Sequence, residues 1–167
     1  TGEDIGREKA GTMRAEKPAV CADPDPPRAL VDHAREIGAK LMLIGRDFGF
    51  EASPRQWRYF GPRGELHGLP HPALRGDYQI ANASACLAAL DALRDRLPVA
   101  AGDIRSGLLT AENPGRLQVL PGRPIVVLDV AQGKEELRDA FERERKGAEG
   151  CGYELLSHRP ARRRSAS

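Results

Sequence analysis

At 167 residues, with 40% apolar and 30% charged side chains, the chain is slightly poorer in apolar groups and richer in charge than an average soluble domain. That length suits one ordinary domain, or one domain and part of another. A net charge of +2 argues against a general attraction to nucleic acid or to membrane surfaces. The longest apolar runs, residues 41–44 and 125–131, are too short to span a bilayer.

The N-terminal Thr1-Gly2-Glu3-Asp4 lacks the basic and apolar regions of a signal peptide. Cys21, Cys86 and Cys151 are far apart, odd in number and without a Cys-x-x-Cys pair. This disfavours a disulfide framework and a zinc site and fits a reducing cytoplasm.

The segment Pro18–Cys21 reads as a short buried strand. Asp25 followed by Pro26-Pro27 predicts a helix start with a capping carboxylate. Leu30, Ala34 and Ile37 share one face of that helix, and Gly38 suits its C-terminal cap. Leu41-Met42-Leu43-Ile44 is a second strand. Strand, helix, strand is the unit of a parallel sheet.

Trp57, Tyr59 and Phe60 precede Gly61-Pro62-Arg63-Gly64, with Leu66 and Leu69 beyond, and predict an antiparallel hairpin. Leu69-Pro70-His71-Pro72 is an extended connection. Residues 79–97 predict a long helix with a stripe of Ile80, Ala83, Leu87, Leu90, Leu93 and Leu97, ended by Pro98. Cys86 falls within this apolar helix and reads as core. A further helix over residues 101–109 carries Ile104 and Leu108 on one face.

Asn113-Pro114-Gly115 marks a linker. Val119-Leu120 and residues 125–128 read as strands, and residues 135–146 as a thinly amphipathic charged helix. The tail from Arg159 has four arginines without interleaved aromatics. It is expected to be disordered, and it makes a weak nucleic-acid interface.

Several residue groups could carry chemistry. Lys9 reads equally as a surface lysine near a chain end. A lysine amine reacts only when neutral, which calls for burial or neighbouring positive charge. Gln79 and Asn82 open the long helix, where amides serve as caps or as readers that both donate and accept. Arg116 follows the linker, where a guanidinium fork suits phosphate recognition. Asp129 ends an apolar strand, expected to be parallel, a position that suits either a ligand site or a helix cap.

The order of these groups is informative. Arg7-Glu8-Lys9-Ala10-Gly11 comes first, then Gln79-Ile80-Ala81-Asn82-Ala83. Next come Pro114-Gly115-Arg116-Leu117-Gln118 and Ile125-Val126-Val127-Leu128-Asp129-Val130-Ala131. This series resembles the middle of the folylpolyglutamate synthase/dihydrofolate synthase family of the Mur ligase superfamily. Gly45-Arg46-Asp47-Phe48 adds a match that reads as structural.

The resemblance implies an α/β fold: the C-terminal part of a Mur-ligase-type central ATP-binding domain (residues 1–112), then the linker and first strands of a Rossmann-like C-terminal domain (113–131). A divergent charged segment with a basic tail follows (132–167). It also implies an ATP-dependent ligase that adds glutamate to dihydropteroate or folate through an acyl phosphate. ATP and Mg2+ would be the cofactors, with Lys9 carbamylated to hold the metal. Gln79, Asn82, Arg116 and Asp129 would lie at the nucleotide. Partners would be these small molecules alone, with no nucleic acid and no membrane, for a cytoplasmic monomer.

The match stops inside a motif. Gln132-Gly133-Lys134 stand where the family has His-Asn-Pro, and nothing in the chain matches the phosphate loop Gly-x-x-x-x-Gly-Lys-Ser/Thr. The alternative reading is therefore a non-catalytic, truncated remnant of such an enzyme.

Overall fold

A computed structural model describes residues 1–74 and 78–113, and the backbone of residues 118–120 and 126–128. The chain falls into two units, Thr1–Glu112 and Asn113–Ser167.

The first unit opens with α1 (Gly2–Ala10), started by a capping box between Thr1 and Asp4. Glu3 and Asp4 in its first turn and Arg7 and Lys9 in its last complement the helix dipole. Then come β1 (Pro18–Cys21), α2 (Arg28–Glu36) and β2 (Lys40–Leu43). β1 and β2 pair in parallel, with Pro18 opposite Lys40 and Cys21 opposite Leu43, as strand–helix–strand spacing predicts. α2 buries Leu30 and Ala34. Beyond its end Gly38 adopts a φ of 71°, a left-handed turn that glycine enters at no steric cost.

The start of α2 departs from expectation. Asp25 does not cap it; the Asp25 N–H donates instead to Asp23 Oδ1 at 3.0 Å. The capping position is held by Pro27, which has no side-chain acceptor. The acceptor comes from α1: Glu3 Oε1 takes the Arg28 N–H at 3.1 Å and Oε2 the Ala29 N–H at 2.9 Å.

β3 (Gly49–Ala52), β4 (Trp57–Gly61) and β5 (Gly64–Leu69) form an antiparallel sheet in that order. The expected hairpin is β4–β5, and β3 extends it. Trp57 and Tyr59, two apart on β4, share its inward face, each 1% exposed, and a bulge between them in the pairing with β5 sets Leu66 and Leu69, three apart, opposite them. The Trp57 indole N–H donates to the Pro70 carbonyl at 2.7 Å, which ties the strand to the extended connection after β5.

α3 (Gln79–Leu93) and α4 (Ala101–Thr110) cover this sheet. Phe48, Trp57, Tyr59, Leu69, Leu87 and Ala88 make the core. Val20 and Met42 from the parallel pair, and Ile104 and Leu108 from α4, pack against it. Full burial of a large apolar side chain such as Phe48, Leu69 or Leu87 contributes about 1.5–3 kcal/mol.

Three expectations for α3 are corrected. It ends at Leu93 rather than Leu97, with turns before Pro98. Leu93 and Leu97 are exposed, because the buried face runs through Ser84, Leu87 and Ala88. Cys86 lies on the opposite, exposed side and is not core. A helix apolar on all sides does not reveal in sequence which face meets the sheet.

In the second unit β6 (Gln118–Leu120) and β7 (Val126–Leu128) pair antiparallel. Among the described residues the strand before Asp129 is thus paired antiparallel, not parallel as expected; five intervening residues are too few for a parallel crossover between these two strands. The predicted charged helix over 135–146 and the basic tail lie outside the described residues. No described helix is long and apolar enough to cross a membrane.

Candidate functional site

Lys9 occupies the last turn of α1, with its side chain exposed. Its carbonyl accepts from both the Thr12 N–H (3.1 Å) and the Thr12 hydroxyl (2.8 Å). The backbone is therefore held while the ammonium faces solvent. No other described residue pairs with that ammonium, and the burial that an activated lysine calls for is not supplied by the described residues. Glu8 is exposed as well.

The second group sits at the start of α3. The Asn82 amide donates to Gln79 Oε1 at 3.3 Å, one helical turn apart. Neither residue caps the helix. Tyr78 holds that position and offers no side-chain hydrogen bond. Asn82 is exposed. The place of Tyr78 disposes of capping as the explanation for Gln79 and Asn82. It leaves a donor–acceptor pair at a helix amino end, an arrangement suited to a polar or anionic ligand. Arg116 and Asp129 lie outside the described residues.

Gly45-Arg46-Asp47-Phe48 closes the end of β2. Asp47 Oδ2 accepts the Leu43 N–H at 2.7 Å and an Arg46 guanidinium N–H at 2.7 Å. The Arg46 bond, then the backbone bond, hold the Asp47 carboxyl below the usual range. These bonds tie the end of β2 to the turn that follows it.

A feature with no sequence signal is a cleft of about 330 Å3 between the β4–β5 turn, the second half of α3 and the start of α4. Tyr59, Asp91 and Arg63 of its lining are engaged within the fold. The Tyr59 hydroxyl donates to Asp91 at 2.9 Å; burial first, and Asp91 second, push the phenol well above its ordinary pKa. Arg63 clasps Asp95 through two bonds of 2.7 and 2.5 Å. Among the described residues no group of three His, Cys, Asp or Glu is placed to hold a metal.

No protein-family model matches the chain. Individual relatives do. The dihydrofolate synthase/folylpolyglutamate synthase of Escherichia coli K12 is 39% identical over 129 residues, which are 77% of this chain and 29% of that protein. A solved structure of E. coli FolC in complex with DHPP and ADP superimposes with a TM-score of 0.72 at 35% identity, covering 86% of this chain and 33% of that one. Another solved relative, a bifunctional folylpolyglutamate synthase/dihydrofolate synthase with Mn, AMPPNP and L-glutamate bound, gives 0.71 at 38% identity and covers 86% and 34%.

The fold is thus of Mur-ligase type, a mixed α/β arrangement corresponding to part of an ATP-binding domain. Within that class the chain belongs to the folylpolyglutamate synthase/dihydrofolate synthase family. It spans about a third of the length of the relatives it matches.

Proposed function

We propose that the chain is part of an ATP-dependent amide ligase that joins glutamate to dihydropteroate or folate, acting as a cytoplasmic monomer on small molecules alone. The observation that carries this reading is the superposition of 86% of the chain on a relative holding DHPP and ADP. The relative with AMPPNP, Mn and L-glutamate supports the same set of substrates. In this reading residues 1–112 belong to the central domain, 113–131 to the linker and first strands of the C-terminal domain, and 132–167 to a divergent segment.

The chemistry would run through an acyl phosphate. The γ-phosphoryl group of ATP passes to the terminal carboxylate of the pteroate or folate, leaving ADP. The amine of glutamate then attacks the activated carbonyl, an amide forms, and phosphate and a proton depart. Asn82, with Gln79 bonded to it, would read the nucleotide. Arg116 would reach the phosphates from the linker as the domains close, and Asp129 would line the same site.

Lys9 fits a metal in one mode. In its neutral form the amine would add carbon dioxide, forming an N–C bond and releasing a proton, and the carbamate would offer one carboxylate-like oxygen. Mg2+ commonly takes one or two carboxylates, phosphate oxygens and water rather than an all-protein cage. Bound there, the ion would offset charge on the transferring phosphoryl group.

Calorimetric titration of Mg-ATP into the 167-residue chain tests the reading. Binding is expected, weakened several-fold by Asn82→Ala and by Arg116→Ala. A chain that circular dichroism shows to be folded, yet that gives no heat of binding, would assign it to the non-catalytic alternative.

A further inference from the structure

Glu3, Gly6 and Ala10 of α1 follow one another at steps of three and four and make one stripe facing α2. Gly6 and Ala10 are buried. A Cβ built on Gly6 would lie 2.5 Å from Pro27 Cβ, so the helices meet there at a spacing that only a residue without a side chain permits. One turn earlier the Glu3 carboxylate reaches the amino end of α2 and accepts from two successive backbone N–H groups, Arg28 at 3.1 Å and Ala29 at 2.9 Å.

First-turn N–H groups have no partner inside their own helix, and Pro27 offers none. The cap that α2 lacks is therefore carried by the helix that bears Lys9. The two backbone bonds hold the Glu3 carboxyl below its ordinary range, so it is ionised at neutral pH and suits the positive end of the helix dipole.

We infer that Glu3 is a positioning residue for Lys9: its bidentate cap on α2 sets the rotation and axial register of α1, and with them the place where the Lys9 amine is presented. The inference rests on the reading of Lys9 given above. The mechanical argument is independent of it. Gly6 gives close contact but no knob, so on its own it permits α1 to slide and turn. Successive helical residues are about 100° apart. A slip of one residue would swing Lys9, which flanks Ala10 at the edge of the stripe, by that angle. Two hydrogen bonds from one carboxylate to adjacent backbone N–H groups fix both rotation and rise.

The test is a titration of the full chain with 13C-bicarbonate, read as the carbamate resonance. The resonance is expected in the unsubstituted protein and lost in Lys9→Arg. Glu3→Ala should need several-fold more bicarbonate for half-occupancy, and Glu3→Gln, which keeps one acceptor, should recover most of that loss. A Glu3→Ala chain that is less heat-stable yet titrates like the unsubstituted protein would show a mere cap and overturn the inference. If Glu3→Ala does not fold, the same titration on Glu3→Asp, whose shorter arm cannot reach both N–H groups, decides in the same way.

Absence of any carbamate in the unsubstituted chain would instead defeat the lysine reading. The positioning inference then stands or falls on amide resonances. Shifts in Glu8, Lys9 and Ala10 on substituting Glu3 support it, and shifts confined to Arg28 and Ala29 overturn it.

Discussion

Ser84 is fully buried in α3, and its hydroxyl has no hydrogen-bond partner among the described residues. An unmade bond of this kind costs about 1–3 kcal/mol, and serine is a poorer helix former than alanine. Ser84→Ala should therefore stabilise the chain by about 1 kcal/mol in urea denaturation. Tyr59→Phe should act in the opposite sense. Tyr59 is 1% exposed and donates to Asp91; without the hydroxyl the carboxylate loses its partner, and about 1–2 kcal/mol of stability should go with it.

The exposed carboxylates Glu3, Glu51 and Asp95 are each held below the ordinary range: Glu3 by backbone N–H groups, Glu51 by Arg58 and Asp95 by Arg63. Their folded pKa values are depressed, so the stability they add is present above the unfolded carboxylate range and is lost as pH falls through and below about pH 4. An acid titration by circular dichroism should show this limb. Added salt should shrink the part due to the Arg58 and Arg63 pairs, because exposed pairs are screened.

At the scale of elements, α1 and α2 behave as one helical pair joined by Gly6 and Glu3. Alanine at Gly6 would favour α1 by about 1 kcal/mol on helix propensity alone. Its Cβ, however, would fall 2.5 Å from Pro27, so the helices must part. Gly6→Ala is therefore expected to destabilise the pair and raise amide hydrogen exchange in both helices, while β4 and β5 stay protected. Slower exchange in α1 would show that propensity outweighs the clash.

The sequence contains a hint of α1 in Thr1-Gly2-Glu3-Asp4, a hydroxyl followed three residues later by a carboxylate. Two glycines within the helix mask its periodicity. β3 was similarly hidden, since Gly49-Phe50-Glu51-Ala52 has too few branched or aromatic residues to read as a strand.

At the scale of the molecule, the core drawn from both sheets, α3 and α4 lies wholly within Thr1–Glu112. Residues 1–112 expressed alone should keep the near-ultraviolet signal of Trp57, the chain's single tryptophan, with an unfolding midpoint close to that of the full chain. Loss of that signal would show that the core needs the residues that follow.

Much of this was legible in the sequence because it is local. The parallel pair with its crossover helix, the β4–β5 hairpin, α3 and α4 all follow from spacing and breakers over a dozen residues. The ordered motifs around Lys9, Asn82, Arg116 and Asp129 pointed to the family that the relatives bear out. What the tertiary structure decided depends on residues far apart in the chain. Glu3, not Asp25, caps α2, because a carboxylate 25 residues upstream reaches two N–H groups that no local side chain can satisfy. Leu93, Leu97 and Cys86 face outward because α3 is apolar on every side, and the sheet it packs against, not its own pattern, selects the buried face. Lys9 is exposed for a similar reason: α1 turns Gly6 and Ala10 toward α2, and the amine is left on the flank.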